Sequence, residues 1–179
     1  MTVEINNVFP NHVAVKNLNL LNFKVVGKDL KKTFESNIET SLNGVTLFDQ
    51  NSINYLNMEL REILGYLLKP YCDNFVFNVN GIWINKYKSE DYQGAHIHPS
   101  DFSFIIYYKI KKSYTVFNSP IKNLLEMFDS KIFFKHYEPE LKQGDIIVFP
   151  SYLEHWVRPN SDNTTVAGNI KIIDVKEKK

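Results

Sequence analysis

From Phe75 onward the chain is written in short apolar runs of period two, each closed by Gly, Pro or Asn. This pattern restricts the fold more than any other feature. Alternation gives each run one face for a core, and the frequent turns leave little room for helix. Phe75, Phe77 and Val79 alternate with Val76 and Asn78. Asn80-Gly81 is a turn signal, and Ile82-Trp83-Ile84-Asn85-Lys86-Tyr87 resumes the alternation. Further strands are expected at residues 95–98, 102–110, 114–118, 132–137, 145–149, 155–158 and 164–175. About eight short strands with few helices between them indicate an antiparallel barrel or sandwich.

The first 70 residues hold the helical material, expected to flank the outside of the barrel. A short helix is expected at residues 29–36. A longer one starts at Asn51-Ser52, buries a stripe of Ile53, Leu56, Leu60, Ile63, Leu64 and Leu67, and stops at Lys69-Pro70. The charged tail from Asp174 is expected to fray. At 179 residues, 44% hydrophobic and 23% charged, the chain suits one domain over residues 1–179: a helical flank (1–70) and a barrel (75–175). Cys72 is the only cysteine, so no internal disulfide is expected. Twenty-one basic residues against 20 acidic argue against nucleic acid or an anionic membrane as partner. No apolar run reaches spanning length, and the opening MTVEINNVFPNHV lacks a cationic end and an apolar core. The expectation is a soluble, cytoplasmic protein.

Chemistry concentrates in the histidines. Two of the five form Gly94-Ala95-His96-Ile97-His98-Pro99. On a strand, residues i and i+2 share a face roughly 6.6 Å apart, so both imidazoles can meet one metal ion. A third ligand is sought elsewhere, and His155 qualifies. It follows a Gly144-Asp145 turn, an apolar strand and a Pro150-Ser151 turn, which put it at the start of the next strand. Three such ligands hold one face of an octahedral iron and leave positions open for cosubstrate and oxygen. His12 and His136 lack such context and read as ordinary histidines. A His-x-His pair alone is commonly structural; the distal element is what makes this one a metal candidate.

Taken in order, Trp83-x-Asn85, His96-x-His98-Pro99, Ser103, Tyr107-Tyr108, Thr115-Val116-Phe117-Asn118-Ser119-Pro120 and the run from Gly144 through Phe149-Pro150-Ser151-x-Leu153-x-His155-x-Val157-x-Pro159-Asn160 carry a resemblance. With the opening Val8-Phe9-Pro10, the sequence resembles the 2-oxoglutarate/Fe(II)-dependent oxygenases found in bacteria and tailed phages. The resemblance implies a mainly β fold, a double-stranded β-helix (jelly roll, cupin-like), binding Fe(II) and using 2-oxoglutarate and molecular oxygen to hydroxylate a small-molecule or peptidyl substrate. The ligands map to His96, His98 and His155, with no catalytic residue beyond them. The wider superfamily has a carboxylate at the middle position; Asp101 is therefore an alternative to His98.

One departure stands out. Such enzymes hold the distal carboxylate of 2-oxoglutarate with a base on the strand after the distal histidine. The corresponding stretch here, Thr164-Thr165-Val166-Ala167, has none. Arg158 and Lys109 are the candidate replacements, with Asn85, Tyr87, Tyr107 and Tyr108 as hydrogen-bonding partners of cosubstrate or substrate. Trp83, the Phe133-Phe134 pair and the leucines of residues 121–128 read as packing, the last two alternatively as a lid. A cupin-type metal protein that uses no 2-oxo acid is the alternative reading. Gly144, Pro150, His155 and Asn160 fit the cupin spacing, whereas Phe102 and Ser103 stand where cupins carry a glutamate. A non-enzymatic jelly-roll module is the third reading. Edge strands leave a homodimer open.

Overall fold

The computed structural model describes residues 3–8, 11–26, 31–32, 39–40, 48–129, 131–160 and 162–178. Twelve strands and two α-helices are assigned among them: β1 (Glu4–Val8), β2 (Asn11–Asn17), β3 (Lys31–Lys32), β4 (Glu39–Thr40), α1 (Gln50–Leu68), β5 (Cys72–Tyr87), β6 (Asp91–His96), β7 (Phe102–Lys109), β8 (Thr115–Asn118), α2 (Lys122–Met127), β9 (His136–Tyr137), β10 (Asp145–Pro150), β11 (His155–Asn160) and β12 (Asn163–Glu177). They form two antiparallel sheets. One has eight strands in the order β1-β2-β10-β7-β12-β5-β4-β3, the other four in the order β6-β11-β8-β9. The fold is mainly β, but no closed barrel forms among the described residues; the two ladders are separate.

Period-two alternation explains the layers. On β7, Phe104 and Ile106 face α1, while Ile105 and Tyr107 face the second sheet. On β10, Ile146 and Val148 face α1, and Ile147 and Phe149 face inward. Both faces of these central strands are buried, so their sequences read as continuous apolar runs. The neighbouring β5 sends Ile82 and Ile84 to the helix side, leaving Trp83, Asn85 and Tyr87 on the inner face. α1 lays Leu56, Leu60, Ile63, Leu64 and Leu67 against the outer side of the large sheet, each less than 5% exposed. Its N-cap is Asp49, whose side chain accepts from the Ser52 amide at 2.7 Å. Ser52 is buried instead, and its hydroxyl accepts from the Lys24 amide at 2.8 Å. The helix runs to Leu68 with Lys69 as its C-cap, still in the helical region and donating its amide to the Gly65 carbonyl; Pro70 has no amide with which to continue the ladder.

Several expectations change. The first 70 residues are not only helical, because β1 and β2 extend the large sheet through β10. Lys31–Lys32 is a strand, and the rest of the helix expected at 29–36 lies outside the described residues. Asn80-Gly81 makes no hairpin. β5 runs straight through it, and Asn80 is absorbed as a bulge where Gly81 faces Asn169 and Val79 faces Ile170. The tail from Asp174 does not fray; it pairs with β5 as far as Glu177 opposite Cys72. Phe133 and Phe134 are 65% and 79% exposed, so they pack no core; within 121–128 only Leu125 is buried, the other apolar side chains being exposed. No described helix is long and apolar enough to cross a membrane.

Candidate metal centre

The register of the small sheet brings the histidines together. His155 opens β11 and is the direct cross-strand partner of His96, the last residue of β6. Their rings lie 4.3 Å apart, centroid to centroid. His98 follows β6, where the chain has left the ladder but not lost its anchor. Its amide donates to the Ser151 carbonyl at 3.0 Å, and the Ser151 amide donates to the Asp101 carbonyl at 3.0 Å. The Ser151 hydroxyl is in turn bonded to that of Ser103 at 2.8 Å, in a buried pair. The Pro150-Ser151 turn thus aims His98 back at the other two, 5.0 Å from His96 and 5.3 Å from His155 between ring centroids. One ligand atom from each of the three lies within 4.8 Å of the others.

Two tautomers follow from the hydrogen bonds. His96 Nδ1 lies 2.8 Å from the Gly94 carbonyl oxygen and His155 Nδ1 3.1 Å from that of Leu153. A carbonyl only accepts, so Nδ1 carries the proton in both and Nε2 is left with its lone pair for a metal. Burial first, and the neighbouring imidazoles second, press the rings toward the neutral form: His155 is lowered to about 3 and His98 to about 4. His96 is lowered as well, by burial, with the Gly94 carbonyl opposing. Three neutral imidazoles converging on one point form a cluster able to coordinate a divalent metal, a donor set that suits iron, nickel, copper or zinc. Asp101 takes no part. Its carboxylate accepts from Lys171 Nζ at 3.0 Å and from the Ile172 amide at 2.7 Å, which holds it on β12.

The histidines line a cavity between the sheets, together with Trp83, Asn85, Tyr87 and Tyr107. Trp83 packs against the inner core cluster and also forms part of the wall, with its ring 5.4 Å from that of His98. The Tyr107 hydroxyl donates to Thr115 Oγ1 at 2.8 Å and that of Tyr87 to Gln93 Oε1 at 3.1 Å. Burial pushes both phenols up, Tyr107 to about 12, so both remain protonated donors. Tyr108 points the other way, edge-on to Phe23 on the helix side.

Neither Arg158 nor Lys109 is among the lining residues. Arg158 pairs with Glu138 and lies over the Trp156 ring. Lys109 is the exposed last residue of β7 and does not line the wall. Sequence reasoning missed Gln93, Lys112, Thr115 and Asn163, all of which do. Thr115, at the start of β8, and Asn163, at the start of β12, were visible only as strand ends. Thr165, counted from His155 as the place of the missing base, does face the cavity. His136 is exposed, its Nδ1 donating to Asn118 Oδ1 at 2.8 Å; the His12 side chain lies outside the described residues.

Residues 81–167 match a sequence family described as "Putative 2OG-Fe(II) oxygenase". No curated protein matches the chain in sequence. Among solved structures, a 2OG-Fe(II) oxygenase family oxidoreductase from Burkholderia pseudomallei aligns over 100% of this chain and 77% of its own, at 11% identity and TM-score 0.50. The viral collagen prolyl hydroxylase of Paramecium Bursaria Chlorella virus-1 aligns over 76% and 79%, at 16% identity and TM-score 0.50. The epimerase SnoN from nogalamycin biosynthesis, described as non-heme and alpha-ketoglutarate dependent, aligns over 85% and 69%, at 10% identity and TM-score 0.54. The chain therefore carries a 2-oxoglutarate/Fe(II)-oxygenase-like domain, and its antiparallel sheets resemble the double-stranded β-helix of those enzymes. Nothing in these matches bears on a phage origin.

Proposed function

We propose that residues 1–179 form one Fe(II)- and 2-oxoglutarate-dependent dioxygenase domain that hydroxylates a small-molecule or peptidyl substrate. The two sheets are read as the walls of a double-stranded β-helix. The observation that carries the reading is the three-histidine cluster at the wall of an inter-sheet cavity. His96, His98 and His155 would hold the metal through one ring nitrogen each. Fe(II) in that set would supply oxygen activation coupled to decarboxylation of 2-oxoglutarate to succinate and carbon dioxide. The chain's own residues do the rest. Gly94 and Leu153 carbonyls fix two ring tautomers. Ser103 and Ser151 lock the turn that aims His98. Phe117 and Phe149 pack against His155 at 5.7 and 4.8 Å and exclude water from its flank. The Tyr87 and Tyr107 hydroxyls and the Asn85 amide are assigned to orienting the cosubstrate.

Anaerobic addition of 2-oxoglutarate to the Fe(II)-loaded protein tests this. Bidentate chelation gives a weak visible charge-transfer band, which is expected in the wild type and expected to vanish in His155→Ala. Metal binding without the band would overturn the 2-oxoglutarate reading in favour of a cupin-type metal protein, which a donor set of three histidines and no carboxylate also accommodates.

A further inference from the structure

β5 has two edges, and among the described residues one of them is mostly unused. β12 pairs with it from Cys72 to Tyr87. On the opposite edge β4 covers Asn85 and Lys86, and no described strand pairs with residues 72–84. A free edge presents unpaired amides and carbonyls, and folded proteins commonly guard one with charge or proline. Residues 74–84 contain no Asp, Glu, Lys, Arg or Pro. The bulge at Asn80 interrupts them and leaves residues 74–79 as a regular run, about 20 Å of ladder.

Beside that edge lies a groove of about 890 Å³ between β5 and α1. Every residue from Phe77 to Ile82 lines it, exposed Asn78 as well as helix-facing Phe77 and Val79. Residues of both parities share the wall, so the groove follows the edge of the strand rather than one face. No residue of β12 is among its described lining residues. The helix contributes Ile53, Met58 and Arg61, and Met58 is 60% exposed. Phe75, Phe77 and Val79 pack toward the core but stay half-buried. The Arg61 guanidinium lies over the Phe75 and Phe77 rings, 5.6 and 5.5 Å from their centroids, and makes no ion pair among the described residues. Its charge thus stands above the open run, in phase with the side chains that face the helix.

We propose that this edge and groove receive an extended acidic peptide segment of a partner protein as an additional strand beside β5. The peptide backbone ladders with residues 74–79, and its alternate side chains lie in the groove. Apolar ones meet Phe77, Val79 and the adaptable Met58, and an Asp or Glu at the same phase meets Arg61. The surface is on the helix side of the large sheet, whereas the histidines line the inner side, so docking here stands apart from the metal centre.

A displayed library of random dodecapeptides, selected on the full chain, tests this. Enriched peptides are expected to alternate apolar residues with an Asp or Glu in phase with them. A synthetic copy of one, labelled with fluorescein, is then titrated by polarisation. Arg61→Glu is expected to weaken it by about tenfold or more, and exchange of the peptide's acid for lysine to restore binding to that variant. N-methylation of alternate peptide amides is expected to abolish binding, and methylation of the intervening ones to spare it. Arg61 and Met58 are exposed, and unchanged circular dichroism and urea midpoint check that their variants fold. A library without enriched sequences would overturn the proposal. So would peptides bound equally by wild type and Arg61→Glu, or peptides that tolerate N-methylation at every position. A wild type that is a dimer by light scattering and becomes a monomer in Met58→Asp would overturn it too, by giving the edge to a second copy of this chain.

Discussion

At the scale of single residues, the histidine cluster was legible and the lysine on the cavity wall was not. The spacing of His96 and His98 marked them as a pair, although His98 lies beyond β6 and is aimed by its bond to Ser151 rather than by strand alternation, and His155 follows a turn that the sequence spells out. Lys109 has the parity of inward-facing Tyr107, which made it attractive, but β7 ends there and its side chain is exposed. Lys112 is held at the cavity by Asn163, 51 positions away in sequence, through a contact that no local pattern encodes. Gly168 is a second residue whose role appears only in three dimensions. A Cβ there would stand 2.5 Å from the Gly81 carbonyl oxygen and 2.5 Å from the Phe104 ring. Backbone on one side and a fully buried ring on the other leave no room to give. Gly168→Ala is expected to lower stability by about 1–3 kcal/mol, seen as a lower urea midpoint. An unchanged midpoint would mean that β5 and β12 can part without cost.

At the scale of elements, strand positions followed from alternation, and errors fell where tertiary pairing overrode a local signal. Asn80-Gly81 reads as a hairpin turn, but Phe75 to Tyr87 find one continuous partner in β12, so the dipeptide becomes a bulge. β1 and β2 were missed because their place beside β10 depends on residues far along the chain. α1 was legible from its apolar stripe, but its charged tether was not. Lys16 on β2, 4% exposed, lies 2.6 Å from Glu59 and 2.7 Å from Glu62 of the helix. Removing Lys16 strands the buried Glu59 carboxylate, whereas Glu62 is 46% exposed and keeps its water. Lys16→Met is expected to cost about 3 kcal/mol in chemical denaturation, and pairing it with Glu59→Leu to recover part of that. No recovery in the double variant would show that the lysine stem, not its charge, joins helix to sheet.

For the molecule as a whole, the cluster sets a pH dependence that metal would mask. His98, His155 and His96 are all lowered from their ordinary value of 6.5, by burial first. Below about pH 6.5 the unfolded chain takes up protons that the folded chain refuses, so stability falls as pH falls. Chelator-treated protein is therefore expected to lose denaturation midpoint between about pH 7 and pH 5, and His155→Asn to lose less over the same window. Equal slopes in the two proteins would mean that His155 does not carry this linkage.

The sheet order has a consequence for how the protein is made. β12, the last strand described, lies between β7 and β5, and β10 lies between β2 and β7. A chain emerging from the ribosome therefore displays β2, β5 and β7 with their central partners still unsynthesised. Apolar strands with open edges are what aggregation and chaperones both seek. The cavity closes last, when the final strand slides between two that have waited for it, so folding is governed by long-range pairing and is slow for a domain of this size.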